Sequence, residues 1–398
     1  MLSDKKIIVL LEDAPAQEFS ASVGLSKALP PLLLELAPSV LHLHIIQTHS
    51  WLKERDILHI GARSQKNSSY LSILVGKVTA WLPYLLARIF AYLHAGLIAF
   101  TIRINMRMAL VKVPIWSAIG VDPMSLLRLY FVAKILGTTY EVYLVDDIEA
   151  HPNNSKKINI HKFLQPLLQQ ASNLYAITPE LAEELSVRYR VQVNYLPLTT
   201  NFKKNTFASG GSPTYFAVYL GSINHLYESG MRLLISQTSI IREITGLNLK
   251  IRIIAKKSDV MKIFDFEGGI PEWVESGLVS GENNLGDALA DSTFCFLPYS
   301  FDEKDRAMTN TSFPSKLIEY LAYGRKIIIY APKTSIPYRY FIGNKLNFAV
   351  KDSSDLHKIL LEAIQDKNNY SDEYLKVLRR NHDPKRAASA ILEGAKYI

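Results

Sequence analysis

Apolar and polar residues fall in blocks along this chain, and the period within the blocks changes repeatedly. Lys6–Leu11 is a short unbroken apolar run that stops at Glu12 and Asp13, the pattern of a buried parallel strand leading into a loop. Leu25–Leu36 has helical spacing broken at Pro30. Val40–Gln47 alternates with period two, which makes His42 and His44 strand-face residues rather than metal ligands. Val113–Ala118 and Glu141–Val145 are further short strands, flanking a helix from Met124 to Leu136 that Gly137 closes. Leu174–Ile177 and Val193–Leu196 follow, with a helix over Pro179–Tyr189 between them. Repetition of strand, helix and strand builds a parallel sheet wound on both faces.

The pattern then breaks. Residues 199–213 are polar, glycine- and serine-bearing and without period, and read as a linker. Beyond them the alternation restarts: strand Tyr215–Leu220, helix Gly230–Thr245, strand Lys250–Ala255, strand Phe294–Pro298, helix Pro314–Tyr323, strand Lys326–Tyr330. The expectation is an α/β protein of two doubly wound Rossmann-like domains, residues 1–198 and 214–383, with a C-terminal helix over 384–397 crossing back to the first. Ligands of such paired domains bind at the carboxyl ends of the strands, in the cleft where the domains face each other.

Composition narrows the picture. The 398 residues are 48% hydrophobic and 21% charged, enough for two sizeable cores and too few charges for disorder. The single cysteine, Cys295, excludes a disulfide framework and any multi-cysteine metal centre; with phenylalanines on both sides it belongs in a core. The formal net charge is +8, and its location matters more than its size. Residues 57–121 contain no Asp or Glu but carry Arg63, Lys66, Lys77, Arg88, Arg103, Arg107 and Lys112. Inside this stretch Tyr70–Phe100 is strongly apolar, yet its longest charge-free run, Ile89–Ile102, is shorter than the roughly 18 residues a spanning helix needs. Bases spaced through apolar helix, with Trp81, Tyr84, Phe90 and Tyr92 among them, suit the surface of an anionic bilayer; core helices that lack acids are the other reading. The N-terminus, MLSDKKIIVLLED, lacks the pattern of a secretory signal. A cytoplasmic protein, peripheral at the inner face of the membrane, is therefore expected. The basic stretch is apolar and lacks base-reading polar groups, so nucleic acid is not expected as a partner.

The segment Phe294–Tyr330 carries the chemistry. A buried strand ends at Pro298-Tyr299, a polar loop follows, and a helix opens near Pro314 with Ser312 as a natural N-cap and Ser315 and Lys316 in its first turn. A lysine at the positive end of a helix dipole is a local conflict that a docked polyanion resolves. Glu319, one turn past Ser315, is placed to accept from the hydroxyls of a ribose. Together they describe a site for a nucleoside diphosphate.

The stretch SFPSKLIEYLAYG before an apolar strand closely resembles the donor-binding helix of GT-B glycosyltransferases of the broad group-4-like superfamily. Tyr219–Ile223 is similar to that family's first donor-domain strand and glycine loop, Gly281–Pro298 to the helix and strand before its donor loop, and Ala176–Pro179 with Tyr195–Pro197 to the end of its acceptor domain. The resemblance implies a glycosyltransferase that moves a sugar from a nucleoside diphosphate-sugar to a hydroxyl of a glycan or lipid-linked acceptor, without a metal or other cofactor. A UDP-sugar is favoured over a GDP-sugar. Residues 1–198 would bind the acceptor and residues 214–383 the donor. Implied donor residues are Gly221, Ser222, His225, Tyr299, Thr311, Ser312, Ser315, Lys316 and Glu319. Thr311 stands where retaining relatives carry the first of two glutamates, and Asn224-His225-Leu226 where they place a base, so retention or inversion is left open.

An inverting transfer needs a base for the acceptor hydroxyl. Val145–His151 ends a strand of the first domain, and offers Asp147 first, Asp146 second, and His151 as a donor to a sugar hydroxyl. The same residues also read as a helix N-cap with solvated acids; Glu12 and Asp13 are the other candidates. Asp302–Arg306 reads as a mobile solvated loop. A sugar-nucleotide epimerase of the same fold and an inactive membrane-docking scaffold are the alternative functions.

Overall fold

The computed structural model describes residues 6–13, 29–47, 64–66, 84–106, 113–151, 154, 159–200, 214–264, 269–277, 289, 292–323 and 326–393. They form two compact units. One holds the described residues up to Thr199 together with the helix Pro384–Glu393, and the other holds Thr200–Asp383.

In the first unit β1 (Ile7–Asp13), β2 (Val40–Gln47), β3 (Ser64–Lys66), β4 (Ile115–Ile119), β5 (Tyr140–Leu144), β6 (Asn173–Ala176) and β7 (Asn194–Tyr195) make one sheet in the order β3-β2-β1-β4-β5-β6-β7. Every neighbouring pair is parallel. Each residue of β4 and β5 is buried, as a sheet covered on both faces requires. The helices are α1 (Pro30–Leu36), α2 (Tyr84–Met106), α3 (Pro123–Leu136), α4 (Ile160–Gln169) and α5 (Pro179–Tyr189). Local chemistry explains their ends. Asp122 accepts from the Met124 N–H ahead of α3, and Gly137 leaves it at φ 67°, where only glycine is unstrained. Thr178 caps α5 in the same way, through the Leu181 N–H.

The second unit has β8 (Tyr215–Leu220), β9 (Leu249–Ile254), β10 (Val274–Gly277), β11 (Phe294–Pro298), β12 (Ile327–Tyr330) and β13 (Ala349–Val350), ordered β10-β9-β8-β11-β12-β13 and all parallel. Its helices are α6 (His225–Thr245), α7 (Lys257–Met261), α8 (Arg306–Thr311), α9 (Ser315–Tyr323), α10 (Ile336–Gly343), α11 (Ser353–Gln365) and α12 (Ser371–Asn381). α13 (Pro384–Glu393) returns to the first unit and packs on α1, with the Tyr175 hydroxyl donating to the Ala390 carbonyl at 3.4 Å. The strand order reverses between β8 and β11, the switch point where open α/β sheets take their ligands.

Several expectations need correction. The expected helix from Leu25 begins, among the described residues, at Pro30. β1 runs through Glu12 and Asp13, so these acids belong to the strand and not to a loop after it. α6 starts at His225 and not Gly230, because the Asn224 side chain caps it by accepting from the Leu226 N–H. Gly230 lies inside the helix as a close-contact residue: a Cβ there would stand 2.3 Å from the Pro298 Cβ. Glu303–Asp305 form a short 3-10 turn entering α8; Asp302, Glu303, Lys304 and Arg306 are solvated as expected, while Asp305 is buried. Ser312 closes α8, its N–H donating to the Met308 carbonyl at 2.8 Å. Linker residues 201–213, residues 20–24 beyond β1, Trp81, and most of Gly281–Ala290 lie outside the described residues.

No described helix is long and apolar enough to cross a membrane. On the buried face of α2, His94 has an Nδ1 without a hydrogen-bond partner among the described residues. Burial, and then the nearby Arg128 charge, lower its pKa from 6.5 to about 4. Below pH 6.5 the unfolded chain therefore takes up a proton that the folded chain refuses until about pH 4. Stability to urea should fall as the pH drops across that window, and His94→Leu should flatten the fall. An identical pH profile in the variant would contradict this account of His94.

Candidate functional site

The carboxyl end of β8 is built around a turn that demands glycine. Gly221 has φ 99°, and its N–H donates to the Ile254 carbonyl at 2.9 Å, so the chain leaves the sheet abruptly beside the switch point. The side chain that fills the space is Lys316 from the first turn of α9; a Cβ on Gly221 would lie 3.6 Å from its Cε. Lys316 Nζ donates to the Tyr219 hydroxyl at 2.7 Å and approaches the Ser222 carbonyl at 3.5 Å. The Tyr219 hydroxyl in turn donates to the Ser222 carbonyl at 2.7 Å. Burial keeps that hydroxyl protonated by raising its pKa well above the usual value. The ammonium also stands 3.6 Å from the centre of the Tyr227 ring and 4.5 Å from that of Tyr219, within range of cation–π attraction.

One turn further along α9, Tyr320 ties the helix across the switch strands. Its hydroxyl accepts from the Leu220 N–H of β8 at 2.8 Å and approaches the Phe296 carbonyl of β11 at 3.5 Å. Lys316, Glu319 and Tyr320 are all buried, and Ser315 is half-buried at the helix start. Tyr299, just past β11, is buried with its ring 5.6 Å from Tyr227 and its hydroxyl donating to the Ser312 carbonyl at 3.4 Å. It is packed into the support of the site. Thr311 is buried and donates to the Ala307 carbonyl within α8 at 2.8 Å. At the start of α6, His225 Nε2 lies 3.6 Å from Asp305 Oδ1. Asp305 Oδ2 is buried with no hydrogen-bond partner among the described residues, a costly arrangement that a ligand donor would relieve. The structure thus gathers Gly221, Ser222, Lys316 and Tyr299 at one switch point. Sequence reading missed Tyr227 and Tyr320, and gave Tyr219 and Asp305 no role beyond that of the stretches containing them.

The acids of the first unit have a different environment. Asp147 Oδ1 accepts from the Glu149 and Ala150 N–H groups, both at 3.1 Å. Arg188 of α5 clamps the carboxylate with both terminal nitrogens, Nη1 to Oδ1 and Nη2 to Oδ2, each at 2.9 Å. Arg188 also reaches Glu184 at 2.9 Å, while the Tyr189 hydroxyl donates to Glu149 at 2.7 Å. The His161 ring stacks on Tyr189 with centroids 5.0 Å apart. Asp147 is therefore the centre of a polar network that fixes the turn after β5, with three hydrogen bonds on Oδ1 and one on Oδ2. It caps the turn as the N-cap reading expects, but it is buried and ion-paired, not solvated. Asp146 and His151 are half-buried in the same turn, whose His151 N–H donates to the Asp147 carbonyl at 3.1 Å. The side chains of Glu12 and Asp13 lie outside the described residues. Arg188 stands 41 residues from Asp147, and no local spacing signals such a pair.

No protein-family model matches this sequence, and no curated protein matches it either. Solved structures do. Sucrose-phosphate synthase from Thermosynechococcus elongatus superposes with a TM-score of 0.70 at 12% identity, over 98% of both chains. HepE from Anabaena, solved in complex with UDP, gives 0.62 at 12% identity, over 98% of this chain and 99% of its own. A trehalose-6-phosphate structure from E. coli, bound with UDP-2-fluoro glucose, gives 0.63 at 10% identity and 98% of each chain. The chain has the GT-B fold.

Asp147→Asn should lower unfolding stability by about 2–4 kcal/mol, because it unbalances a buried, bidentate ion pair. Urea denaturation reads this directly. A carboxylate held only for catalysis would leave stability unchanged or raise it on neutralisation.

Proposed function

We propose that this chain is a glycosyltransferase whose second unit binds a nucleoside diphosphate-sugar at the β8/β11 switch point and whose first unit presents the acceptor. The observation that carries this reading is the placement of Lys316: a buried ammonium group beside a left-handed glycine, at the carboxyl end of the first strand of a Rossmann-ordered sheet. A diphosphate is the ligand such a position selects, since the amides after β8, the α9 terminus and the ammonium all favour negative charge. The UDP and UDP-2-fluoro glucose held by two structures of the same fold support uridine as the base.

In this reading the diphosphate lies against Lys316 and the Gly221–Ser222 backbone, and Glu319 accepts from the ribose hydroxyls. Thr311, Ser312 and Ser315 line the approach at the head of α9. Asp305, oriented with His225, accepts from a hydroxyl of the sugar, which satisfies its unpartnered oxygen. The acceptor hydroxyl forms a bond to the anomeric carbon as the bond to the diphosphate oxygen breaks. The electron pair leaves with the diphosphate, whose growing charge Lys316 and the helix amides stabilise without a metal. Asp146, with His151 beside it, takes the acceptor proton if the transfer inverts. The acceptor is a hydroxyl of a glycan or a lipid-linked glycan.

UDP-sugars and GDP-sugars should be screened for their effect on the thermal unfolding midpoint, with turnover measured for those that bind. UDP-sugars should raise the midpoint, and Lys316→Met should weaken that binding about 10- to 100-fold through loss of a charged partner. Full binding by the variant, or no response to any nucleotide-sugar, would remove the donor site from this position.

A further inference from the structure

α2 is apolar on every side, yet among the described residues only one side is covered. Among its 23 residues the polar ones are Arg88, His94, Thr101, Arg103 and Asn105, together with the hydroxyl-bearing Tyr84 and Tyr92. Ala91, Ala95, Ile98, Ala99 and Ile102 are buried on the side packed in the first unit. Ile89, Tyr92, Leu93, Leu97, Phe100 and Ile104 are between 42 and 61% exposed. They follow one another at helical spacing and so form a single stripe about 22 Å long. Helices apolar all round are normally covered all round. Six large side chains in one continuous stripe also exceed the scattered apolar residues of an ordinary surface.

Charge chooses the occupant. Neither α2 nor α3, packed beside it, contains an Asp or Glu; Arg128 is buried and paired with Asp122 ahead of α3 at 3.3 Å, and Arg103 and Lys134 are exposed cations. Arg103 is exposed between Phe100 and Ile104 and donates to the Ile135 carbonyl at 2.8 Å, which holds its charge at the rim of the stripe. Lys134 is exposed near the same end of α3, 5.5 Å from the Tyr130 ring centre. A second copy of this face would set cations against cations. A surface at once apolar and anionic satisfies both features, and no described helix is long and apolar enough to cross a bilayer.

We propose that α2 lies along the surface of an anionic bilayer, with the Ile89–Ile104 stripe at the headgroup–acyl boundary and Arg103 and Lys134 among the lipid phosphates. The docking stands by itself. Combined with the transferase reading, it makes the acceptor one that is carried on lipid.

The test is flotation of the full chain with phosphatidylcholine vesicles, with and without about one third phosphatidylglycerol, at low and high salt. The wild-type chain should float with the anionic vesicles and be released by salt. Leu93→Ser/Phe100→Ser should reduce its partition about tenfold or more, and Arg103→Gln should weaken binding and its salt dependence together. The Leu93→Ser/Phe100→Ser chain should retain the wild-type circular dichroism spectrum and UDP affinity. Failure of the wild type to float overturns the inference, as does unchanged flotation of the serine variant. A wild-type dimer that this variant abolishes, seen by sedimentation velocity without vesicle binding, overturns it in favour of self-association. Vesicle binding by a chain that ignores UDP would leave the docking standing and remove the transferase reading.

Discussion

An ammonium group withdrawn from water has to be met by oxygens or by π faces, and Lys316 meets both. The Tyr219 hydroxyl, the Ser222 carbonyl and the rings of Tyr219 and Tyr227 surround it. The local architecture is arranged to permit this. Gly221 leaves the sheet through the left-handed region beside the Lys316 side chain, and Tyr320 pins α9 to backbone groups of both switch strands. Tyr299 supports the Tyr227 ring from the other side. A positive charge set into the carboxyl edge of a parallel sheet, near helix N-termini, makes that edge electropositive.

The first unit shows the reverse economy of charge. Its strand-end carboxylate, Asp147, is held by Arg188 and two backbone amides, so it organises the turn in which Asp146 and His151 sit. Glu149, Tyr189 and His161 extend the network behind it. Such a network favours one rigid conformation of the turn.

Much of the architecture was legible from period alone. Strands Val40–Gln47, Tyr215–Leu220 and Phe294–Pro298 and helix Pro179–Tyr189 match residue for residue, because each is bounded by strong turn or capping chemistry. Helix α9 was legible to within one residue of its start, with Lys316 in a first turn that ordinarily favours acids. What could not be read was long-range: Arg188 meeting Asp147, the Tyr227 face under Lys316, and Asp305 buried against His225. The short strands β3, β10 and β13 carry too few residues to show an alternation. α6 begins five residues before the expected Gly230, a glycine that sits in close helix–strand contact.

The central claim is that the β8/β11 switch point with Lys316 at its edge is a diphosphate site. The most direct measurement is a crystal structure of the chain grown with UDP. The account predicts the diphosphate within hydrogen-bonding distance of Lys316 Nζ and the Gly221–Ser222 backbone, with the ribose hydroxyls on Glu319. UDP bound elsewhere, or an unaltered Lys316–Tyr219 contact beside an empty switch point at saturating UDP, would contradict it.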